Sequence, residues 1–220
     1  MKRLCLGMLI GSEEMFIHKI FPFLAVAFDG VVVLDSGMGP RTRGFVMTVG
    51  SDIIPFQWIN NFEVARNTLI EKAAGLGYDY MMMLDADETI HREDVKMIKD
   101  ALQHYDIIRF PRINFIRDEY HYSPDVYPDY QNRAIKLDRG IRYEGKVHET
   151  ITALPSFSSV ILPSIHIYHY GWCKPTRAVY LKNVNYDRLT RGEEPLKALA
   201  EDCKVEEIQH SSVMYFGQQP

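Results

Sequence analysis

Three short apolar runs, at residues 4–10, 31–34 and 80–84, are each followed by turn residues and a helix-length segment. A run apolar on both alternating faces suits a strand covered on both sides, the usual state of strands in a parallel sheet. Parallel neighbours need crossovers, and helices supply them. The spacing predicts helices over residues 15–27, from Asn60 or Asn61 to Ala74, and over residues 92–104, the second closed by Gly75 and Gly77. Residues 45–49 read as a further strand, and residues 107–110 close the series. The fold class is therefore α/β: an open, mostly parallel sheet flanked by helices.

After Pro111 the texture changes. Residues 114–129 are aromatic and polar and read as a long substrate-facing loop. Residues 131–137 and 143–151 suggest short strands, and residues 160–170 an extended run interrupted by Pro163. From Pro175 onward a helix is expected to turn Val179, Leu181, Val184 and Leu189 inward, with a second over residues 194–203. No repeat, linker or low-complexity tract divides the chain, so residues 1–220 read as one domain with an elaborated C-terminal half.

Composition narrows the function classes. Apolar residues make up 46% of the 220 and charged residues 25%, which excludes wholesale disorder. Lys and Arg number 25 against 29 Asp and Glu, so no domain-wide basic field offers itself to a nucleic acid. No apolar run reaches the roughly 18 residues of a membrane span. Glu13 and Glu14 interrupt the start before a signal-peptide core builds, and a cytoplasmic protein is expected. Cys5, Cys173 and Cys203 lie too far apart for a disulfide framework or zinc knuckle.

The chemistry concentrates at Met81-Met82-Met83-Leu84-Asp85-Ala86-Asp87-Glu88. An apolar strand delivers two carboxylates one residue apart, and the strand period of two sends both to the same side. Such a pair holds a hard divalent cation while phosphate oxygens complete its coordination. The bland alternative is that the acids cap a helix or pair with Lys and Arg.

Further segments appear in a telling order. They are Val31-Val32-Val33-Leu34-Asp35-Ser36-Gly37, Trp58-Ile59-Asn60-Asn61-Phe62-Glu63-Val64-Ala65-Arg66-Asn67, Arg142-Tyr143-Glu144-Gly145-Lys146-Val147-His148-Glu149 and His169-Tyr170-Gly171-Trp172. With the Asp85–Asp87 segment, the chain resembles the family 2 glycosyltransferases of GT-A nucleotide-diphospho-sugar transferase fold. It is most similar to the branch of lipopolysaccharide-core and related bacterial or phage sugar transferases. Two departures stand out: Ser12-Glu13 replaces the family's Asn-Glu, and Met38-Gly39-Pro40-Arg41-Thr42 replaces its Ser-Thr-Asp-x-Thr.

The resemblance implies an inverting transfer from a nucleotide-diphosphate sugar, UDP-sugar favoured, to a glycan, lipid-linked or protein hydroxyl. It implies a nucleotide-sugar-binding half at residues 1–111 and an acceptor-binding, closing half at 112–220. Mn²⁺ or Mg²⁺ is implied at Asp85 and Asp87, with His169 as a further ligand and His166 able to share that task. The donor would meet Gly11, Glu13, Asp35, Arg66, Asp85 and His148. Glu149 is the expected general base and Asp129 its rival. Tyr120, Tyr122, Tyr127 and Tyr130 are candidates for stacking on sugar rings or for burying the loop that carries them. Arg177, Lys182, Arg188 and Arg191 suggest either peripheral contact with an anionic membrane or a solvated helix face.

Rival readings are a non-catalytic glycan- or nucleotide-binding protein of the same fold and a sugar nucleotidyltransferase. The second normally carries a Gly-rich basic loop after its first strand, whereas Leu9-Ile10-Gly11-Ser12-Glu13-Glu14 has one Gly and no Lys. A dinucleotide-binding dehydrogenase is disfavoured because Gly7-Met8-Leu9-Ile10-Gly11 lacks the glycine fingerprint.

Overall fold

A computed structural model describes residues 2–11, 14–152, 156–174 and 176–196. The first half alternates as read: β1 (Leu4–Ile10), α1 (Glu14–Ala25), β2 (Gly30–Asp35), α2 (Pro40–Thr48), β3 (Asp52–Pro55), α3 (Phe62–Gly75) and β4 (Tyr80–Asp85). Then follow β5 (Glu88–Thr89), α4 (Val95–Ala101), β6 (Ile107–Ile116), β7 (Asp129–Lys136), β8 (Tyr143–Glu144), β9 (Thr150–Ile151), β10 (Ser159–Ile161), β11 (Ile167–Trp172) and α5 (Thr176–Thr190).

The main sheet runs β3-β2-β1-β4-β7-β6-β11-β5, with β10 also on β6. The β3-β2-β1-β4 block is parallel, and β7 is antiparallel to both of its neighbours, β4 and β6. The apolar runs are buried on both faces for the reason anticipated. Leu4, Leu6, Met8 and Ile10 of β1 join a core with α1. Cys5 faces the other way, into a second core under α3. Met81, Met82 and Met83 are split between the same two cores.

Several boundaries differ from the sequence reading. Residues 45–49 are not a strand: Pro40 opens α2 at its first turn, where a missing N–H costs nothing, and the helix runs through Phe45 to Thr48 with Val46 buried. The third strand is Asp52–Pro55 instead. The last strand of the first half does not stop at 110, because Pro111 and Arg112 pair with Tyr130 and Asp129 of β7. The division at 111/112 thus falls inside β6, and the expected loop shortens. Residues 143–151 form two short paired strands rather than one, joined by a turn in which Gly145 and His148 have φ of 109° and 54°.

In α5, Val179, Leu181, Val184 and Leu189 are half-buried rather than core. Residues 194–196 are not helical, and the remainder of that expected helix, with Cys203, lies outside the described residues. No helix of the described residues is long and apolar enough to cross a membrane.

The entry to α3 is capped as expected. Asn61 is extended, and its side chain accepts the Val64 N–H at 3.2 Å, satisfying one of the helix's unpaired donors. Asn61→Ala is expected to cost about 1 kcal/mol of stability in urea denaturation without altering the fold.

Candidate active site

The carboxyl ends of β1 and β4 open into a cleft of about 900 Å³, walled further by β6, β7, the 145–151 segment, β11 and α5. Asp85 is the last residue of β4, and Asp87 follows in the turn before β5. The turn is pinned because the Tyr170 N–H donates to the Asp87 carbonyl at 2.8 Å. Both carboxylates reach the cleft.

Buried carboxylates demand partners, and each has them. Asp85 accepts from Arg66 at 2.9 Å through one oxygen and from Arg133 at 2.7 Å through the other. Glu88, fully buried, accepts from Arg112 at 2.9 Å and Arg133 at 2.8 Å. It also takes the Asp85 N–H at 3.1 Å. Arg66 continues to Glu149, which it holds through Nε. Burial pushes the Asp85 carboxyl up, but the Arg133 and Arg66 guanidinium groups more than offset it and hold it well below the usual carboxylate range.

Asp87 is paired differently. Its Oδ2 accepts from Lys174 at 2.8 Å, and its Oδ1 lies 3.6 Å from His169 Nε2. Burial is outweighed by Lys174 and then His169, so this carboxyl too stays well below its ordinary range. His169 Nδ1 sits 2.7 Å from Asn114 Oδ1, an acceptor, so Nδ1 carries a proton and donates to it. The amide orientation follows from Asn114 Nδ2 donating to Asp129 at 3.1 Å. Burial lowers the proton affinity of His169, with Asp87 opposing it.

Asp87 and His169 thus present two metal-ligand atoms to the cleft. Gly171 lets the backbone pass close beside them, since a Cβ there would stand 2.4 Å from His169 Nε2 and 3.0 Å from Asp87 Oδ2. Among the described residues no group of three His, Cys, Asp or Glu forms a ready metal cage. A hard cation would fit with two protein ligands, its other positions filled by phosphate and water. Each Asp85 oxygen is already paired with an arginine.

The other expected residues divide into those at the cleft and those away from it. Gly11, Arg66, Asp129, Tyr130, His148 and Glu149 line it. Glu13 lies outside the described residues. Asp35 is buried behind the wall: the Gly37 and Met38 N–H groups donate to one oxygen at 2.9 and 2.7 Å, and Arg43 holds the other. Asp129 accepts from Arg112 twice and from Asn114 and Gln131. Burial raises it and Arg112 lowers it further, so the net proton affinity is reduced. Asn67 ties α3 to β8 through the N–H and C=O of Tyr143, both at 2.9 Å.

His166 bonds the Tyr127 hydroxyl at 2.9 Å and does not line the cleft. Tyr120 and Tyr122 also lie outside it, on an exposed surface. Of the basic residues in and just after α5, Lys182 faces the cleft, whereas Arg188 and Arg191 pair with Glu193. The sequence reading gave no role to Glu88, Arg112, Asn114, Arg133, Lys174 or Tyr186. Arg112 carried a signal all the same: a charge inside a strand rich in apolar residues needs a buried partner.

No family model matches the chain. Its sequence is similar to a TPR repeat-containing protein of Synechococcus elongatus, at 26% identity over 183 residues, covering 78% of this chain and 43% of that protein. It is also similar to glycosyltransferase SunS of Bacillus phage SPbeta, at 25% identity over 171 residues, covering 76% and 39%. The chain therefore spans about two fifths of the length of these curated relatives.

Among solved structures, Staphylococcus aureus TarS 1–349 in complex with UDP-GlcNAc superposes with a TM-score of 0.52 at 12% identity, covering 90% of this chain and 68% of that one. A Desulfovibrio desulfuricans protein assigned as a nucleotide-diphospho-sugar transferase gives 0.50 at 14% identity, covering 86% and 90%. The fold is that of the GT-A nucleotide-diphospho-sugar transferases. In that fold the acids at the end of β4 stand at the carboxyl edge of the parallel strands, where open α/β sheets place their ligands.

The buried lattice makes two measurable statements. Glu88→Ala strands parts of two guanidinium groups and is expected to lower stability by about 3 kcal/mol in urea denaturation, with Glu88→Gln costing less because an acceptor remains. The carboxyls of Asp85, Asp87 and Asp129 have folded proton affinities below the unfolded value of about 3.9. Their contribution is complete above that pH and is lost as pH falls through the lower folded values. Stability should therefore vary little with these groups from pH 7 to about 5 and decline below about pH 4, as urea midpoints across that range will show.

Proposed function

We propose that this chain transfers a sugar from a nucleotide-diphosphate donor, with a UDP-sugar favoured, to an acceptor hydroxyl with inversion at the anomeric carbon. The observation that carries the reading is the Asp87–His169 pair, two oriented ligand atoms at the carboxyl edge of the sheet within a cleft of nucleotide-sugar size. Similarity in sequence to a glycosyltransferase supports it, and the UDP-GlcNAc complex of TarS supports the donor class.

The nucleoside end belongs beside Gly11, Ser36 and Gly37, which line the cleft at the ends of β1 and β2. Because Asp35 is committed to the Gly37 and Met38 N–H groups and to Arg43, it shapes this loop rather than meeting the base directly. The diphosphate would lie toward Asp87, His169, Lys174 and Lys182. When bound there, Mn²⁺ or Mg²⁺ supplies positive charge to the departing diphosphate. Asp87 and His169 are the residues that would hold it.

In the reaction the acceptor oxygen bonds to the anomeric carbon as the carbon–oxygen bond to the diphosphate breaks. The acceptor proton must leave at the same time. Glu149 is the better acceptor for it: Arg66 fixes one carboxylate oxygen, leaving the other to take the proton. Asp129 has both oxygens occupied and a reduced proton affinity, so its part is to hold Arg112 and, through Asn114, the tautomer of His169. Tyr130 and Trp172, half-exposed on the cleft wall, suit the apolar faces of sugar rings. The acceptor is a glycan, a lipid-linked sugar or a protein hydroxyl.

Calorimetric titration with UDP, with and without Mn²⁺, tests the donor site. Asp87→Asn is expected to abolish the metal-dependent part of binding, on the order of tenfold or more. Glu149→Gln should retain UDP binding and lower transfer by about 100-fold or more. Unchanged affinity in the first variant, or full transfer by the second, would contradict the corresponding role.

A further inference from the structure

Lys174 lies on the diphosphate side of the cleft, yet its partner in the structure is a carboxylate. It lies between the end of β11 at Trp172 and the start of α5 at Thr176. Its ammonium reaches back 2.8 Å to Asp87 Oδ2 and lies 5.7 Å from the Phe16 ring centroid. Asp87 is only 5% exposed, so this carboxylate needs a cation at all times. His169 stands farther off, with Nε2 3.6 Å from the other Asp87 oxygen and Nδ1 held by Asn114. Lys174 is the group that neutralises Asp87 in the structure.

We infer that Lys174 is a resident cation of the Asp87–His169 pair, which a divalent cation must displace and which then pairs with the donor diphosphate. The inference rests on the transferase reading above. The lysine and a metal are competitors because both would neutralise the same carboxylate, and two cations held a few ångströms apart repel strongly. Displacement is sterically simple. The ammonium ends a flexible four-carbon stem, is one-fifth exposed, and already lines the cleft that would receive the phosphates. Lys182, one helical face along α5, lines the same wall, so the displaced ammonium joins a second positive charge around the incoming diphosphate.

The arrangement makes Lys174 a positioning residue toward Asp87 before the donor arrives and a phosphate contact afterwards. It also gives a reason for metal and nucleotide to bind together. A cation alone must evict a lysine and leave its charge close by, whereas a cation with diphosphate gives that charge a partner.

Mn²⁺ binding, followed by the electron paramagnetic resonance of the free ion, distinguishes competition from a structural ion pair. Lys174→Met is expected to bind Mn²⁺ without nucleotide about tenfold more tightly than the unsubstituted protein. At saturating Mn²⁺ it should bind UDP several-fold more weakly. Lys174→Arg keeps the charge and should leave Mn²⁺ affinity near the starting value, while Asp87→Asn should remove specific Mn²⁺ binding from both backgrounds. A merely structural lysine predicts unchanged or weaker Mn²⁺ binding in Lys174→Met, and that result overturns the proposal while leaving the metal reading intact. If UDP binds the unsubstituted protein equally with Mn²⁺ or EDTA, the cation reading and this proposal fall together. If UDP does not bind at all, the transferase reading falls with them.

Discussion

Acids gathered at the carboxyl edge of a parallel sheet cannot be left unpaired, and that requirement organises this molecule. Asp85 and Glu88 share Arg133; Arg66 joins Asp85 to Glu149; Arg112 joins Glu88 to Asp129. The chain of contacts crosses α3, β4, β5, β6, β7 and the segment before β9. Each element could drift on its own hydrophobic contacts, which are non-directional. Guanidinium–carboxylate pairs are directional, so they fix the relative positions of elements far apart in sequence. Such a lattice need add little net stability over an apolar core, but removing one member is costly.

The same logic explains what was legible in the sequence. The apolar runs of β1, β2 and β4 announce themselves because a doubly covered strand tolerates almost no polar residue. The cap at Asn61 and the acids after Leu84 are likewise local signals. Residues 45–49 misled because their composition favours a strand, while Pro40 had already started a helix that buries Val46. Local propensity lost to a start signal upstream and a packing demand that no short window contains.

The cleft itself was only half legible. Asp87, His169, Arg66 and Glu149 could be suspected from segments with chemical character, yet their partnerships depend on pairings across the sheet. His169 meets Asn114 because β11 lies parallel to β6 with those two residues in register. Arg112 meets Asp129 because β6 and β7 are antiparallel neighbours with the same pair opposed. Nothing within β6 or β11 alone reports that register. The mismatch at Asp35 has a similar origin: its side chain is used inside its own turn, an option open to any Asp that ends a strand before a glycine.

Charge balance then constrains how the cleft can work. Asp85, Asp87, Glu88, Asp129 and Glu149 face Arg66, Arg112, Arg133 and Lys174 in direct pairs. Lys182 stands on the same wall. These walls are close to neutral among the described residues, so the diphosphate of the proposed donor would find cations that are already spoken for. Freeing Arg66 or Arg133 for phosphate would leave Asp85, half-buried at the cleft, short of a partner, and freeing Arg133 would also weaken the pairing of the fully buried Glu88, where an unpaired charge is least tolerable. Lys174 is the exception, because its ammonium ends a flexible, one-fifth-exposed side chain on the cleft wall and can move without unburying another charge. The arginines therefore form the fixed frame of the cleft, and exchange of positive charge is confined to Asp87.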